Sequence, residues 1–351
     1  MPSYAFVTEH TVGHVTFERL LREAVAADPA IEAEWFPLTY PPRGALEALP
    51  PLRSNWSVRS SVRARRLLGM HRRPLDALFF HTQTAALLSG GLMRRVPGVI
   101  SLDATPINLD AVASGYEHRV AGRRAERAKA RVVGHALRRA AALVAWSEWV
   151  RSSLIGDYGV DPSRIHIIPA GTRVPPRPPV RTPGERPRLL FVGGEFDRKG
   201  GTVLLDAVDG LDVDLDIVTR SEVRERPGVT VHRVQPGSPV LGELYARSDA
   251  FVLPTLADAS PHVVIEAMAA GLPVISTPVG AIPEMVLGGT TGLLVAPGDR
   301  DDLRAAIERL ADPALRASMG AAAHARVSER FDAAVNARRV LDVMADVSAS
   351  R

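Results

Sequence analysis

Short apolar runs alternate with helical patterns along most of the chain, and this alternation restricts the possible folds most strongly. The runs read YAFVT, LDALFF, GVISL and ALVAW, then RLLFV, LDIV, AFVLP, LPVIS and TGLLV. Continuous apolar strands separated by helices are typical of parallel sheets that are buried on both faces. The pattern therefore predicts an α/β protein.

A proline-rich segment interrupts the alternation. Residues 169–187 read PAGTRVPPRPPVRTPGERP, and seven prolines make this a stiff, extended connector. At 351 residues the chain also exceeds what one hydrophobic core usually fills. We expect two α/β domains, over residues 1–174 and 188–330, with a cleft between them. The last helical pattern, residues 331–351, could return to the N-terminal domain.

Composition excludes several classes of protein. The chain has no cysteine, so it forms neither disulfides nor thiolate metal sites. It begins without a basic-then-apolar leader, and no apolar run approaches the roughly 20 residues of a spanning helix. We therefore expect a cytoplasmic protein. The formal net charge of +4 is too small to indicate an acidic partner by itself.

A glycine turn with two cations follows the first apolar run of the second domain. In FVGGEFDRKGG, residues 191–201, Gly193 and Gly194 end the run, and Arg198 and Lys199 precede an expected helix start. Glycines let backbone approach a ligand closely, while cations and helix-start N–H groups bind phosphate. The stretch has neither the P-loop nor the dinucleotide pattern. Taken alone, it could also be a solvated turn.

An acid pair brackets a second expected helix start. Asp258 follows the run AFVLP, and Ser260–Pro261 has the composition of an N-cap with proline at the first helical position. First-turn N–H groups at His262–Val263 could then receive an anion, and Gly271 should end the helix. Glu266 could accept hydrogen bonds from a diol such as ribose, and Asp258 from sugar hydroxyls. An exposed helix glutamate is the alternative for Glu266.

Together these stretches resemble the retaining glycosyltransferases of family 4, which have the two-domain GT-B fold. The residues that carry the resemblance are GGEFDRKGG, the acids Asp258 and Glu266, and EAMAAGLPVISTPVGAIPEMV with GTTGLLVAPGD. SEWVRSSLIGDYGVDPSRIHIIPAGT also looks like the family's segment before its connector. The resemblance covers roughly residues 140–310. It implies two Rossmann-like, doubly wound parallel-sheet domains that face a central cleft.

The resemblance also implies roles for these residues. Glu266 would bind the nucleotide's ribose, Asp258 the donor sugar, and Arg198 with Lys199 the diphosphate. Two departures stand out. The family usually has Glu followed by a glycine-containing turn where this chain has Asp258, and it often has Arg where this chain has Gly194. The guanidinium would then have to come from Arg198.

The N-terminal half should hold the acceptor. Gly13 lies between the first strand and the first helix, where family members bring backbone near the diphosphate, and His10 and His14 flank it. His81 and Asp103 follow two strand-like runs and should face the cleft. Many relatives carry His near the position of Asp103. Asp103 is therefore our candidate for contacting the reacting sugar or acceptor hydroxyl.

Two other features have simpler explanations. The acids of LDVDLDIV, Asp212, Asp214 and Asp216, alternate with apolar residues and fit an amphipathic strand face better than a metal site. We expect no metal. Two arginine-rich segments, residues 53–73 and 118–139, could place the protein on anionic lipid with Trp56 and Leu67–Leu68. Solvated faces are the alternative, and no nucleic-acid module is present.

The resemblance thus implies a metal-independent, retaining hexosyltransferase that uses a nucleotide-diphospho-sugar as co-substrate and needs no cofactor. The acceptor would be a hydroxyl group of a glycan, lipid or small metabolite. A nucleotide-sugar epimerase of the same architecture remains an alternative, and so does a non-catalytic protein that binds nucleotide-sugar or lipid. A basic membrane- or nucleic-acid-binding scaffold is a third.

Overall fold

The protein is described by a computed structural model that covers residues 1–10, 14–39, 41, 47, 55–112, 123–180, 186–224, 226–235 and 237–350, with only the backbone for 123–127. The chain divides into two compact units. One contains Met1–Asp110, Arg119–Ala170 and Ala333–Arg351, and the other contains Ala111–His118 and Gly171–Asp332. The change from the first unit to the second at Ala170–Gly171 lies at the start of the proline-rich segment.

The first unit is built on a parallel sheet. Across its described residues the strand order is β2-β1-β3-β4-β5-β6, so the chain reverses its direction across the sheet between β1 and β3. The strands are β1 (Ser3–His10), β2 (Glu32–Thr39), β3 (Ala77–His81), β4 (Gly98–Leu102), β5 (Ala142–Ala145) and β6 (Ile165–Ile167). The helices between them are α1 (His14–Ala26), α2 (Trp56–Met70), α3 (Gln83–Ala86), α4 (Pro106–Ala111), α5 (Arg123–Arg139) and α6 (Glu148–Gly156).

The second unit is also built on a parallel sheet, with a different strand order. Its described strands lie in the order β12-β11-β10-β7-β8-β9, and the reversal falls between β7 and β10. The strands are β7 (Arg188–Val192), β8 (Asp214–Val218), β9 (Val229–His232), β10 (Ala250–Leu253), β11 (Val274–Ser276) and β12 (Gly292–Leu294). The helices are α7 (Gly201–Ala207), α8 (Pro239–Arg247), α9 (His262–Ala269), α10 (Ile282–Met285), α11 (Arg300–Arg309) and α12 (Pro313–Arg330).

The last helix, α13 (Ala333–Ala349), packs on the sheet of the first unit. Its buried residues Leu341 and Met344 join a core cluster with Phe17 of α1 and Phe79 of β3. Arg339 also donates a hydrogen bond to the carbonyl oxygen of Ile167, at 3.0 Å. The helix α13, which follows the second unit in the chain, therefore completes the core of the first unit.

Burial explains why the apolar runs form strands. Along β1, Tyr4 and Phe6 belong to one core cluster, while Ala5 and Val7 belong to the cluster on the opposite face. All four side chains are at most 2% exposed, so the strand is covered on both faces. The predicted α/β class with two doubly wound parallel sheets is confirmed. Within the described ranges, no helix combines the length and apolar character that crossing a bilayer requires.

The arginine-rich segment of α2 is less exposed than the sequence suggested. Arg59 and Arg63 are buried, and Arg63 pairs with Glu47 and donates to the carbonyl oxygen of Pro41 at 2.8 Å. Leu68 is also buried, so it cannot contact lipid as expected. Arg59, Arg63 and Leu68 therefore belong to the inward side of α2, because a helix packed on a sheet turns one side inward.

The exposed side of α2 is mixed in character. Arg65 and Arg66 lie on it, beside Leu67 and Met70, which are 37% and 66% exposed. Trp56, the other residue expected to touch lipid, is half-buried, and its indole nitrogen donates to Glu9 at 3.3 Å. The indole is therefore tied to the end of β1.

The strand β8 corrects a second expectation. It begins at Asp214, so Asp212 lies before it and is exposed. Asp216 is buried and accepts two hydrogen bonds from Arg247, both at 2.8 Å, while His232 lies 2.7 Å away. The three acids therefore do not form one solvated strand face, because Asp212 precedes the strand and Asp216 is buried beside Arg247.

Candidate functional site

In the second unit, the residues after β7 and β10 meet where the strand order reverses. In open α/β sheets, ligands bind beyond the carboxyl ends of the strands at this reversal. The loop after β10 is joined to the turn after β7 by backbone hydrogen bonding, since the Leu256 N–H donates to the Arg198 carbonyl at 2.9 Å. The Thr255 hydroxyl reaches the same carbonyl at 3.3 Å. The two stretches that the sequence singled out therefore form one structure.

Glycine is required where these stretches touch. Gly200 has a φ of +78°, and a Cβ at this position would lie 2.0 Å from the carbonyl oxygen of Pro254. A Cβ on Gly193 would lie 3.0 Å from the Cβ and Cγ of Lys199. Any larger residue would push the turn away from β10 or displace the lysine. The glycines thus hold the lysine against the end of the sheet.

Lys199 and Asp258 form an ion pair at this point. The lysine Nζ contacts Asp258 Oδ2, and the two side chains are only 14% and 9% exposed. Asp258 was predicted to bind a sugar and Lys199 a diphosphate. The structure brings them together, and their contacts with a ligand stay predictions.

The Arg198 guanidinium is held by hydrogen bonds to residues of the second unit. Its Nε and Nη2 donate to the Glu195 carboxylate at 2.8 and 3.0 Å, and Nη1 donates to the carbonyl oxygen of Ala257 at 2.6 Å. The Arg198 hydrogen bonds are the largest cause of a lowered Glu195 pKa, to which the charges of Lys199 and Arg220 add. Glu195 is therefore ionised at neutral pH and keeps the guanidinium in place.

The predicted cap of α9 is wrong. The helix begins at His262, Pro261 occupies the N-cap position, and no side chain caps it. Ser260 therefore lies one residue too early to cap the helix. Val263, in the first turn, is half-buried and packs against the unit's core. At the other end, Gly271 has a φ of +71° and its N–H donates to the Met268 carbonyl, as the sequence predicted.

Glu266 lies half-buried in α9 and meets a partner from α8. The Tyr245 hydroxyl donates to Glu266 Oε2 at 3.1 Å. Burial, and then the charge of Glu266, raise the pKa of Tyr245 well above its usual value. The phenol therefore remains a hydrogen-bond donor at every physiological pH. Glu266 is not the exposed helix glutamate of the alternative interpretation, and its contact with ribose stays a prediction.

The first unit gathers its candidates at its own strand reversal, between β1 and β3. His14, the first residue of α1, lies between two carboxylates: its Nδ1 is 3.9 Å from Glu9 Oε2, and its Nε2 is 3.8 Å from Asp103 Oδ2. Glu9 is buried at the end of β1 and also accepts from the Thr82 hydroxyl at 3.2 Å. Asp103, just after β4, is partly buried.

The pKa directions show which of these groups carry charge. Burial by itself would lower the pKa of His14, but the Asp103 carboxylate outweighs it and the pKa is raised. Burial would raise the pKa of Asp103, but His14, and then His81, lower it. Desolvation raises the pKa of Glu9. The arrangement therefore favours an imidazolium on His14 beside an ionised Asp103.

His81 occupies an aromatic environment and does not present a free edge to solvent. It is fully buried, and its ring stacks on Phe17 at 4.5 Å and on Trp146 at 5.4 Å between centroids. It also meets the His14 ring edge-on at 4.5 Å. His81 thus supports His14, while His10 lies 3.9 Å from Glu18. Gly13 lies outside the described residues.

Sequence reasoning missed three residues of these clusters. Glu9 reads as the polar end of a strand, and Tyr245 as a core residue of α8, so neither carried a signal. Arg220 follows β8, and its guanidinium lies within 3.4 Å of the position that a Cβ on Gly194 would take. A signal existed for Arg220, because a missing family arginine invites a search for cations after the neighbouring strands. Within the described residues, no group of three or more His, Asp or Glu is arranged to hold a metal ion.

Comparison with known families identifies the architecture. The model of Glycosyltransferase Family 4 matches residues 18–174, and that of Glycosyl transferases group 1 matches residues 186–312. The D-inositol 3-phosphate glycosyltransferase of Pseudarthrobacter chlorophenolicus is 31% identical over 216 residues, which are 53% of this chain and 51% of that protein. The chain spans about half the length of the curated relatives it matches.

Solved structures agree over the full length. Sucrose-phosphate synthase from Thermosynechococcus elongatus has a TM-score of 0.80 and 21% identity, with both chains covered completely. HepE of Anabaena, solved with UDP and glucose, has a TM-score of 0.69 and 17% identity, covering 99% of this chain and 100% of that chain. At such identities the likeness shows the fold, which is the expected GT-B fold. The chain belongs to glycosyltransferase family 4, the glycosyl transferases group 1.

Proposed function

We propose that this protein is a retaining glycosyltransferase that moves a hexose-type sugar from a nucleotide-diphospho-sugar to a hydroxyl acceptor. The observation that carries the proposal is the ion pair of Lys199 and Asp258 at the strand reversal of the second unit. Cation and carboxylate lie where such sheets bind ligands, beside a glycine turn that keeps backbone accessible. HepE, which has the same fold, was solved with UDP and glucose.

The proposed chemistry follows from charge. The bond between the sugar carbon and the diphosphate oxygen breaks, and its electron pair stays on the diphosphate. The acceptor oxygen then bonds to that carbon and passes its proton to the departing diphosphate oxygen. Lys199 and Arg198 would stabilise the charge that develops on the leaving diphosphate. Glu266 would hold the ribose, and Asp258 the sugar hydroxyls, while the backbone at His262 and Val263 would contact the donor.

In the first unit, Asp103 is our candidate for contacting the reacting sugar or the acceptor hydroxyl. Its lowered pKa keeps it ionised, so it could accept a hydrogen bond from a hydroxyl. Its ion pair with His14 supports the alignment of the carboxylate. Asp103→Asn should therefore lower turnover far more than nucleotide affinity.

The first experiment is a thermal-shift panel of UDP-, GDP-, ADP- and TDP-sugars, because a donor that binds the folded protein raises its melting temperature. The donor that stabilises is then offered with acceptors, beginning with D-inositol 3-phosphate, which the name of the relative suggests. Lys199→Ala and Glu266→Ala should each weaken donor affinity or turnover at least about tenfold, the effect of losing one charged contact. Asp212→Ala, on an exposed residue before β8, is the control.

Product analysis separates the alternatives. A transferase adds the sugar to the acceptor with the donor's anomeric configuration, an epimerase converts the donor without an acceptor, and a binding protein releases neither product. Turnover that persists in excess EDTA supports the proposed metal independence. If no sugar nucleotide changes the melting temperature, the proposal fails.

We also propose a peripheral, reversible contact with anionic lipid through the exposed side of α2. Arg65 and Arg66 provide charge there, and Leu67 and Met70 provide apolar surface. Sedimentation with phosphatidylserine vesicles, but not with phosphatidylcholine vesicles, is expected, and Arg65→Glu with Arg66→Glu should abolish it. Equal sedimentation of the variant and the natural protein would contradict this contact.

A further inference from the structure

Gly194 occupies the position where the family often carries an arginine, and the structure shows what fills the space beside it. A Cβ built on Gly194 would lie 3.0 Å from Nη2, 3.1 Å from Nε and 3.4 Å from Cζ of Arg220. The guanidinium of Arg220 therefore lies in the space that a side chain at 194 would enter. The glycine and the arginine fit each other.

We propose that Arg220 is a further diphosphate-binding residue, which supplies from the end of β8 the guanidinium that the turn after β7 lacks. This inference rests on the proposed function, since it assigns a residue to the diphosphate of the donor. It differs from the sequence-based expectation, in which Arg198 alone replaced the missing arginine.

The sheet brings Arg220 to this place. β7 and β8 are parallel neighbours, and the Gly193 N–H donates to the Val218 carbonyl at 2.9 Å, directly beyond both strands. Because parallel strands end at the same edge, the residues after β8 flank the turn after β7. Arg220 thus lies on the β8 side of the turn, whereas Arg198 and Lys199 contact the loop after β10 on the other side.

The backbone around Arg220 is fixed on both sides. Arg233 donates from Nη1 to the carbonyl oxygens of Thr219, at 3.2 Å, and of Ser221. The Ser221 hydroxyl accepts from the Phe196 N–H at 3.2 Å, which ties this loop to the turn after β7. A guanidinium on a fixed backbone loses less entropy on binding than one on a mobile loop.

The Arg220 guanidinium is also available. Arg220 is exposed, and within the part of the chain that the structure describes its guanidinium makes no hydrogen bond or ion pair. Arg198, in contrast, has its guanidinium committed to Glu195 and Ala257, and Lys199 is paired with Asp258. A planar guanidinium can present two parallel N–H groups to a phosphate. Arg220 is therefore the cation best able to receive an incoming diphosphate.

The test compares Arg220→Ala with Arg224→Ala, a matched control on an exposed arginine four residues further along the same loop. The probes are UDP, GDP, ADP and TDP, followed by the monophosphate of the base that binds most tightly, measured by titration calorimetry. Arg220→Ala should weaken the diphosphate about 10- to 100-fold, as expected for a charged bidentate contact. The affinity for the monophosphate should fall less, and the diphosphate affinity of Arg224→Ala should stay within about twofold of that of the natural protein. Arg220→Lys should fall between, because it keeps the charge without the fork.

A second variant moves the guanidinium back to its usual position. Arg220→Ala removes the three atoms that a side chain at Gly194 would meet, so Gly194→Arg combined with Arg220→Ala should recover at least about tenfold in diphosphate affinity. Melting curves confirm folding of every variant. If Arg220→Ala binds diphosphate like Arg224→Ala while Lys199→Ala loses binding, this inference is overturned and the proposed function stands. If the natural protein binds none of the four diphosphates, both fail.

Discussion

Breaking the ion pair of Lys199 and Asp258 should destabilise the second unit in a non-additive way. Both side chains are largely removed from water, at 14% and 9% exposure, so each charge depends on the other for compensation. Removing one partner of a buried pair typically costs about 3–5 kcal/mol, whereas replacing both by uncharged residues of similar size is near neutral. We expect Lys199→Met and Asp258→Asn each to lower the free energy of unfolding by about 3 kcal/mol. The double variant should lose about 3 kcal/mol or less rather than about 6, a coupling of at least about 3 kcal/mol.

The assay is urea unfolding followed by far-ultraviolet circular dichroism. The four tryptophans are Trp35, Trp56, Trp146 and Trp149, and all belong to the first unit. Tryptophan fluorescence therefore follows that unit and serves as an internal control, which the substitutions should leave unchanged. The reasoning is refuted if the loss in the double variant equals the sum of the two single losses, because the ammonium and the carboxylate would then not stabilise each other in solution.

Three further predictions concern other contacts. The raised pKa of His14 and the lowered pKa of Asp103 mean that their pair stabilises the protein fully between the usual pKa values of aspartate, about 3.9, and histidine, about 6.5. This contribution to stability is lost as pH rises through the raised pKa of His14. The difference in melting temperature between the natural protein and His14→Ala should therefore be large at pH 6 and small at pH 9. The same difference at both pH values would contradict the pairing. Tyr245→Phe removes one donor to Glu266 and should weaken nucleotide binding, measured by calorimetry, several-fold, or about 1 kcal/mol. Unchanged binding would show that the Tyr245 hydroxyl does not position Glu266. Asp216→Asn should lower the free energy of unfolding by about 2 kcal/mol, because Nη2 of Arg247 loses the buried carboxylate to which it donates. Asp212→Asn, on an exposed residue, should change the free energy of unfolding by less than about 0.5 kcal/mol. Equal losses in the two variants would contradict the difference in burial between these acids.

The sequence predicted the architecture because strand burial leaves a direct pattern. The runs RLLFV and AFVLP became the neighbouring strands β7 and β10, and the glycine turn and acid loop followed them at one edge. Local signals also worked at Gly271, where a positive φ ends a helix. They failed at Ser260, because composition indicates that a cap is near but does not fix the residue at which the helix begins.

The sequence did not predict which polar side chains would become partners in the folded protein. Asp216 alternates with apolar neighbours like any amphipathic residue, and only the tertiary position of Arg247 makes it a buried ion. Arg59 and Arg63 read as solvated charges for the same reason. The hydrogen-bond donors to Glu9 are Trp56 and Thr82, which lie 47 and 73 positions further along the chain. Long-range pairing of polar groups depends on the fold and has no period that a single sequence displays.

The return of α13 to the first unit sets an order for synthesis on the ribosome. The segment 171–332 is continuous and emerges complete, so the second unit can fold before translation ends. The core of the first unit is completed later, since Phe17 and Phe79 are covered by Leu341 and Met344, which are translated after the whole second unit. A nascent chain stalled before residue 333 would therefore expose apolar side chains on the first unit, while its second unit could already be folded.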